Sequence, residues 1–218
     1  VLGGIVMLLS EQEYSHAVDI LAGRTGKEPL LQEFGEWFEE TFGLKVYDYI
    51  CDVTKAGRVR LKVVLWDKDC RKKLMKGANP DFRKQKKIGE KFSELCRTYR
   101  KHEAYYRADG LLVCYDTLQD EIGKRILKQA ESRIKAAAEQ DIRRVEIIFS
   151  SVHVFFETEE QAERHLHDGV CEAVNRQISS IVKEYDCFGA FPEGIRCIFT
   201  SLQTLNEKYE GNMFYYTR

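Results

Sequence analysis

The spacing of apolar positions predicts helices first and strands later along the chain. Ser10 followed by Glu13 fits a capping box, so a helix is predicted from there to about Ala22. Pro29 suits the first turn of a second helix, and Gly43 suits its end. The apolar stripe of this second helix, interpreted as core packing, consists of Leu30, Leu31, Phe34, Trp37 and Phe38. Residues 1–44 are therefore predicted to form an N-terminal helical segment.

Residues 45–150 are predicted to form a first α+β half. Alternating positions indicate strands over 45–53 and 59–66, followed by helices over 68–75 and 81–100. The Gly77-Ala78-Asn79-Pro80 stretch separates the two helices. The remaining predicted elements are a strand or hairpin over 105–115, a helix from Asp116 to about Gln140, and a strand over 143–150.

Residues 151–218 are predicted to form a second α+β half. A buried strand ends at Phe156, and Thr158 with Gln161 caps the helix that follows. The helical stripe consists of Leu166, Val170, Val174, Ile178, Ile181 and Tyr185. The last predicted elements are a loop over 188–194, a strand over 195–199, a short helix beginning near Thr200, and a strand over 213–216.

The two halves share an order of elements that indicates an internal repeat. Leu65-Trp66-Asp67 matches Phe156-Glu157-Thr158, with residue numbers that differ by 91. Tyr115 to Gln119 matches Phe199 to Gln203, with a difference of 84, and the seven missing residues fit the interruption at 76–82. We therefore predict an α+β protein of two related β-α-β-α-β halves, packed as a pseudo-twofold mixed-sheet sandwich, with an N-terminal helical segment.

Composition narrows the cellular setting and leaves the binding partner open. The formal net charge is −1, so any electrostatic attraction must be local. The seven cysteines contain no C-x-x-C pair, which predicts reduced, buried thiols and a cytoplasmic protein. The apolar stretch at 1–9 lacks a basic leader, and no stretch reaches transmembrane length, so no signal peptide and no membrane partner are expected.

Motifs that carry chemistry are absent from the sequence. No P-loop, G-x-G-x-x-G, G-x-S-x-G or H-E-x-x-H motif occurs. His165 and His167 are two apart on a predicted helix, so their rings diverge, and we interpret them as solvated. Cys114 and Cys197 precede predicted helix starts, but buried thiols are the preferred interpretation. We therefore expect no metal and no cofactor, and no catalytic residue is identified.

The strongest local anomaly is the density of basic residues between Lys68 and Lys101. Only Asp69, Asp81, Glu90 and Glu94 oppose them. The corresponding helical region of the second half is acidic instead, with Glu159, Glu160, Glu163, Asp168, Glu172 and Glu184. Lysines and arginines clustered in this way predict contacts with phosphates. The candidate polyanion-binding residues are Arg71, Lys72, Lys73, Arg83, Lys84, Lys86, Lys87 and Lys91.

Three functions are compatible with these features. The preferred one is a non-enzymatic, cytoplasmic interaction or scaffold protein, with an unidentified protein partner or a second copy of the chain. The first alternative is nucleic-acid or polyanion binding through the basic helical face at 68–101. The second alternative is an enzyme with a small-molecule site in the cleft between the halves.

Overall fold

The computed structural model describes residues 9–107, 110–137 and 141–217, and the chain divides into two compact units. The first unit ends at Gln119 and the second begins at Asp120. Predictions for residues 1–8 and for the end of the helix near Gln140 lie outside the described residues. No helix in the described ranges is long and apolar enough to cross a membrane.

The first unit contains helices and strands that alternate in short groups. Its elements are α1 (Glu11–Leu21), α2 (Pro29–Phe42), β1 (Asp48–Val53), β2 (Val59–Leu65), α3 (Lys68–Lys72), β3 (Met75–Lys76), β4 (Asn79–Pro80), α4 (Phe82–Thr98), α5 (Glu103–Arg107) and β5 (Leu112–Thr117). The sheet order is β1-β2-β5, in which β1 is antiparallel and β5 parallel to β2. β3 and β4 form a separate two-stranded hairpin.

The core of the first unit lies between this sheet and helices α2 and α4. Phe34 of α2 meets Phe92 of α4 edge to face, with ring centroids 5.2 Å apart. The predicted apolar stripe of α2 therefore lies in or against the core, as expected, and Ile88, Phe92, Leu95 and Cys96 of α4 are buried in the same core. The fully buried side chains of this core include Leu30, Leu31, Phe34, Phe38, Leu61, Val63, Leu65, Ile88, Phe92 and Val113.

The second unit repeats the pattern of one mixed sheet between helices. Its elements are α6 (Leu118–Ala136), which begins two residues before the boundary, β6 (Arg144–Ile148), β7 (Ser151–Phe156), α7 (Glu159–His165), α8 (Val170–Tyr185), β8 (Arg196–Ser201), α9 (Leu202–Tyr209) and α10 (Met213–Tyr216). The sheet order is β6-β7-β8. Successive residues of β7 from Val152 to Phe156 are all buried, so both faces of this strand are covered.

Both sheets have the same strand order and strand directions, and their registers correspond. Leu65 pairs with Thr117 in the first sheet, and Phe156 pairs with Ser201 in the second. A matching backbone hydrogen bond follows each pair. Gln119 N donates to Trp66 O at 2.9 Å, and Gln203 N donates to Glu157 O at 3.2 Å. These small mixed sheets among helices confirm the α+β class.

The predicted β-α-β-α-β order of each half is wrong. β6 pairs with β7 in an antiparallel hairpin, so this strand belongs to the second sheet, and the predicted boundary at 150 separates two paired strands. The predicted strand at 213–216 is the helix α10, because the Asn212 side chain accepts a hydrogen bond from Phe214 N at 2.9 Å and caps it. Tyr105 likewise lies in α5 and not in a strand. With α6 counted as the helix that follows β5, and with α5, α10 and the β3–β4 hairpin left aside, the common order is β-β-α-α-β-α.

The extra residues of the first unit lie in two places. The buried positions Ile88 and Phe92 of α4 match Val174 and Ile178 of α8, with residue numbers that differ by 86. Of the seven extra residues, 91 − 86 = 5 therefore lie between α3 and α4, and 86 − 84 = 2 lie between α4 and β5. The larger insertion contains the β3–β4 hairpin, as the predicted interruption at 76–82 indicated.

Candidate polyanion-binding site

The site begins where β2 ends and the chain turns into α3. Asp67 caps this helix, because its side chain accepts a hydrogen bond from Cys70 N at 2.7 Å. The cap orients a helix of only five residues, which carries Arg71 and Lys72 in its last turn. The chain then forms the β3–β4 hairpin, whose two-residue turn begins at Gly77 with a φ of 63°. A glycine suits that left-handed backbone conformation.

α3 and the hairpin together enclose a basic concavity of about 480 Å³. Its lining residues are Lys68, Arg71, Lys72, Met75, Gly77 and Ala78. The hairpin supplies the apolar and backbone part of the wall, and α3 supplies all the charged side chains. Because the lining contains cations and no carboxylate, an anionic ligand would be favoured over a cationic one.

The start of α4 is joined to α3 through hydrogen bonds. Lys84 Nζ donates to the backbone oxygen of Lys73 at 2.5 Å, and Asp81 N donates to Leu74 O at 3.0 Å. The Asp81 side chain caps α4 by accepting from Lys84 N and Arg83 N, and these bonds lower the pKa of the Asp81 carboxyl group. Lys84 therefore has a positioning role, since it holds the two basic segments together.

Several cations around the concavity lack a carboxylate partner. Lys72 Nζ forms an ion pair with Asp69 at 2.8 Å, and this bond lowers the pKa of the Asp69 carboxyl group. Within the ranges that the structure describes, the exposed cations without an ion-pair partner in this region are Arg71, Lys73, Lys76 and Arg83. Side chains in this state can pair with phosphate oxygens without first breaking an ion pair.

Three of the eight predicted binding residues lie elsewhere on α4. Lys87 Nζ lies 6.0 Å from the ring centroids of Trp37 and Phe42, against α2. Lys91 pairs with Glu94 at 3.0 Å, and Lys86 pairs weakly with Glu90 at 3.8 Å. Lys86 lines a groove on the flank of α4 that faces β5. The site therefore retains Arg71, Lys72, Lys73, Arg83 and Lys84 and gains two lysines, Lys68 and Lys76.

The histidine that was predicted to be solvated, His165, is buried, with 4% of its surface exposed. Its Nδ1 lies 2.8 Å from Asp168 Oδ2, its Nε2 lies 3.2 Å from Asp141 Oδ2, and its ring packs on Phe156. The carboxylates lie at opposite ring nitrogens and do not converge on one point. Among the described residues, no group of three or more potential ligands could hold a metal ion.

The seven cysteines are free thiols, and the two that precede helix starts, Cys114 and Cys197, lie in environments that disfavour the thiolate. Burial raises the pKa of Cys197 to about 12, and it also raises the pKa of Cys114. A nucleophilic cysteine needs the opposite shift, so these two residues are poorly suited to covalent catalysis. Both side chains are only partly buried, so the interpretation of these two residues as buried thiols holds only in part.

Sequence reasoning missed the hairpin wall of the site. Met75, Gly77 and Ala78 carry no charge, so only their place in the interruption between two basic segments could have drawn attention to them.

No protein-family model, curated protein or solved structure matches this chain. The geometry of the site is therefore the basis for a functional proposal.

Proposed function

We propose that this protein binds nucleic acid, with the phosphate backbone held at the basic concavity formed by α3, the β3–β4 hairpin and the start of α4. The observation that carries the proposal is this concavity of about 480 Å³, whose charged lining is entirely cationic. Unpaired cations lie beside it on both helices, at Arg71 and Arg83. Neutralising several phosphates with lysine and arginine supplies most of the affinity of non-specific nucleic-acid binding.

The comparison between the two units supports the same proposal. The hairpin that completes the concavity lies in the insertion of the first unit, between α3 and α4. The equivalent connection in the second unit is the short 166–169 turn. The helix equivalent to α3 carries acidic residues, including Glu159 and Glu160, in its first turn. The basic site is therefore specific to the first unit.

We further propose that the two units descend from one β-β-α-α-β-α ancestor. The support is the shared strand order, the matching registers and the matching hydrogen bonds at Gln119 and Gln203. Pseudo-twofold packing of the units stays a prediction. In this proposal the first copy gained the hairpin and its basic neighbours, while the second copy kept the shorter connection.

The other functions inferred from the sequence stay predictions. A protein-interaction role is compatible with a nucleic-acid-binding protein, since the basic site occupies only part of the first unit. An enzyme with its site between the halves is the least supported, because the sequence contains no P-loop, G-x-G-x-x-G, G-x-S-x-G or H-E-x-x-H motif. A cytoplasmic location is proposed because the seven cysteines are free thiols.

The test is fluorescence anisotropy with a labelled 20-nucleotide single strand at low salt. Changing Arg71, Lys73 and Arg83 together to glutamate is expected to weaken binding by roughly tenfold or more, because three phosphate contacts become repulsive. A parallel titration with a duplex of the same length shows which form the site prefers.

A control variant separates this site from a general effect of charge. Changing Lys55, Arg58 and Arg97 to glutamate alters the net charge by the same amount at exposed positions. Lys55 and Arg58 lie in the turn between β1 and β2, at the end of β2 opposite α3, and Arg97 lies at the end of α4 opposite Arg83. This variant is expected to retain nearly all affinity. Equal losses in the two variants, or no binding by the unmodified protein, would rule out a nucleic-acid site at the α3–α4 surface.

A further inference from the structure

We propose that the second unit binds an acidic peptide in extended conformation, which adds as a fourth strand to the outer edge of β8. This site is separate from the basic concavity and lies in the other unit. The argument rests on the direction of backbone groups along β8, on the groove beside the strand, and on the charges that line this groove.

The register determines which backbone groups of β8 face outward. Arg143 N donates to Phe155 O at 2.8 Å, so alternate residues of β7, among them Phe155, form hydrogen bonds with β6. Val152 and Val154 therefore direct their backbone groups towards β8, opposite Cys197 and Phe199. In a parallel pair, each such residue bonds to the two neighbours of its partner. The N–H and C=O groups of Cys197 and Phe199 consequently face away from β7.

In the first unit, the equivalent edge is partly closed by a side chain. The same reasoning places the Val113 backbone groups of β5 on the outer edge, and Gln85 Nε2 donates to Val113 O at 2.6 Å. Gln85 corresponds to Cys171 in α8, which is too short to make this bond. In the described part of the chain, the Cys197 and Phe199 backbone groups have no hydrogen-bond partner.

A groove runs between α8 and this open edge. Its first part, about 380 Å³, is lined by Leu166, Cys171, Glu172, Asn175, Ile195, Arg196, Cys197 and Phe199. Ile195 also lines a second hollow of about 480 Å³, which continues along α8 past Arg176, Ser179 and Lys183. The buried Asn175 Oδ1 has no hydrogen-bond partner. A groove between a helix and an unpaired strand is the geometry in which extended peptides add to a sheet.

The side chains of β8 favour pairing with another strand. Cys197, Ile198 and Phe199 are only partly buried, although they are apolar and β-forming. An edge strand of this composition attracts another strand unless charged residues or bulges protect it. Arg196 is the only charged residue in the strand.

The charges of the groove identify the class of peptide. Arg176 and Lys183 line the hollow near the start of β8, and within the described ranges neither has an ion-pair partner. The one carboxylate of that hollow, Asp186, already accepts hydrogen bonds from Ala190 N at 2.8 Å and Phe191 N at 2.9 Å. A peptide antiparallel to β8 would place its carboxyl-terminal residues there. Acidic residues at that end of the peptide are therefore expected.

The probe is a fluorescein-labelled peptide in which valine and threonine alternate over six residues before three glutamates at the carboxyl end. Anisotropy should detect saturable binding to the full-length protein. N-methylation of two backbone amides on the edge facing β8 should weaken binding by about tenfold or more, since two hydrogen bonds are lost. N-methylation of the alternate amides should leave the affinity within about twofold. Equal effects of the two modifications, or no saturable binding, would overturn the proposal.

Two protein variants exchange the residue that lies beside the sheet edge, which is Gln85 in the first unit and Cys171 in the second. Cys171→Gln introduces a glutamine at the position equivalent to Gln85, beside the open edge of β8. It is expected to weaken peptide binding by about tenfold. Gln85→Cys is the reverse exchange in the first unit and should not weaken peptide binding, because it leaves the β8 edge unchanged. Amide hydrogen exchange provides a second readout in the unmodified protein, because the peptide should protect Cys197 and Phe199 more than Ile198. Unchanged affinity in Cys171→Gln, together with unprotected edge amides, would contradict strand addition at β8.

Discussion

At the residue scale, the buried polar side chains of the second unit define its sensitivity to pH. His153 lies on β7 with 8% of its surface exposed. Its Nδ1 lies 2.8 Å from the Tyr216 hydroxyl group of α10, and its Nε2 lies 3.3 Å from Ser151 Oγ. Glu146 is its partner across the sheet. Burial first, and the positive charge of Arg196 second, lower the pKa of His153 below its usual value of 6.5.

This shift predicts that the protein loses stability as the pH falls below about 6.5. Between the native and the unfolded pKa, the unfolded chain binds a proton at this position and the native protein does not. The free energy of unfolding therefore rises with pH through that window and is fully restored above it. Urea denaturation at pH 5 and pH 7.5 measures the difference.

The variant His153→Gln should flatten this pH dependence, because glutamine does not titrate. The exposed His167 gives the matched control, since His167→Gln should leave the slope unchanged. A pH dependence that is the same in His153→Gln and in the unmodified protein would exclude His153 as its source.

At the element scale, the helix caps were the most predictable features of the chain. Ser10 and Thr158 form the capping boxes that their spacing predicts, with Glu13 and Gln161 as partners. These signals are local, because a side chain three residues away completes each one. The helices predicted to begin at Asp116 and near Thr200 begin two residues later, at Leu118 and Leu202, because β5 and β8 continue to Thr117 and Ser201.

The cap of α7 gives a stability prediction. Thr158→Ala removes the side-chain acceptor for Gln161 N and is expected to lower the free energy of unfolding by about 1 kcal/mol. Urea denaturation followed by circular dichroism measures this change. Ser180→Ala, at an exposed position within α8, is the control and should stay within about 0.5 kcal/mol of the unmodified protein. A Thr158→Ala variant as stable as that control would show that the cap contributes little.

Strand pairing was less predictable than helix caps. The sequence predicted β6 and β7 as separate strands but did not indicate their hairpin, because the turn has no glycine or asparagine. Phe149 adopts a φ of 55° there, a conformation that a bulky residue rarely takes. The four residues of α10 are apolar or aromatic, which favours a strand, and only the Asn212 cap favours the helix.

At the scale of the whole molecule, the correspondence between the halves was partly visible in the sequence. The sheet registers keep Leu65 equivalent to Phe156 and Thr117 equivalent to Ser201, as the number differences of 91 and 84 in the sequence indicated. The basic site was visible only as a charge cluster, since helix spacing could not show that α3 and the start of α4 meet through a hairpin. Tertiary contacts such as Lys84 with the Lys73 carbonyl group decide which cations share a surface.

The same scale explains how one molecule with a net charge of −1 can carry local surfaces of opposite charge. The basic concavity belongs to the first unit, and the acidic first turn of α7 belongs to the second. Because screening limits electrostatic attraction to about 8 Å at physiological salt, the local cluster and not the net charge determines binding.

The most direct test of nucleic-acid binding at the α3–α4 surface is the salt dependence of affinity for the 20-nucleotide single strand. Each phosphate contact contributes about −0.7 to the slope of log affinity against log salt concentration. Replacing Arg71, Lys73 and Arg83 should therefore make the slope less steep by about 2, whereas the Lys55, Arg58 and Arg97 variant should keep it. A slope that is the same in all three proteins would contradict a phosphate-binding role for this surface.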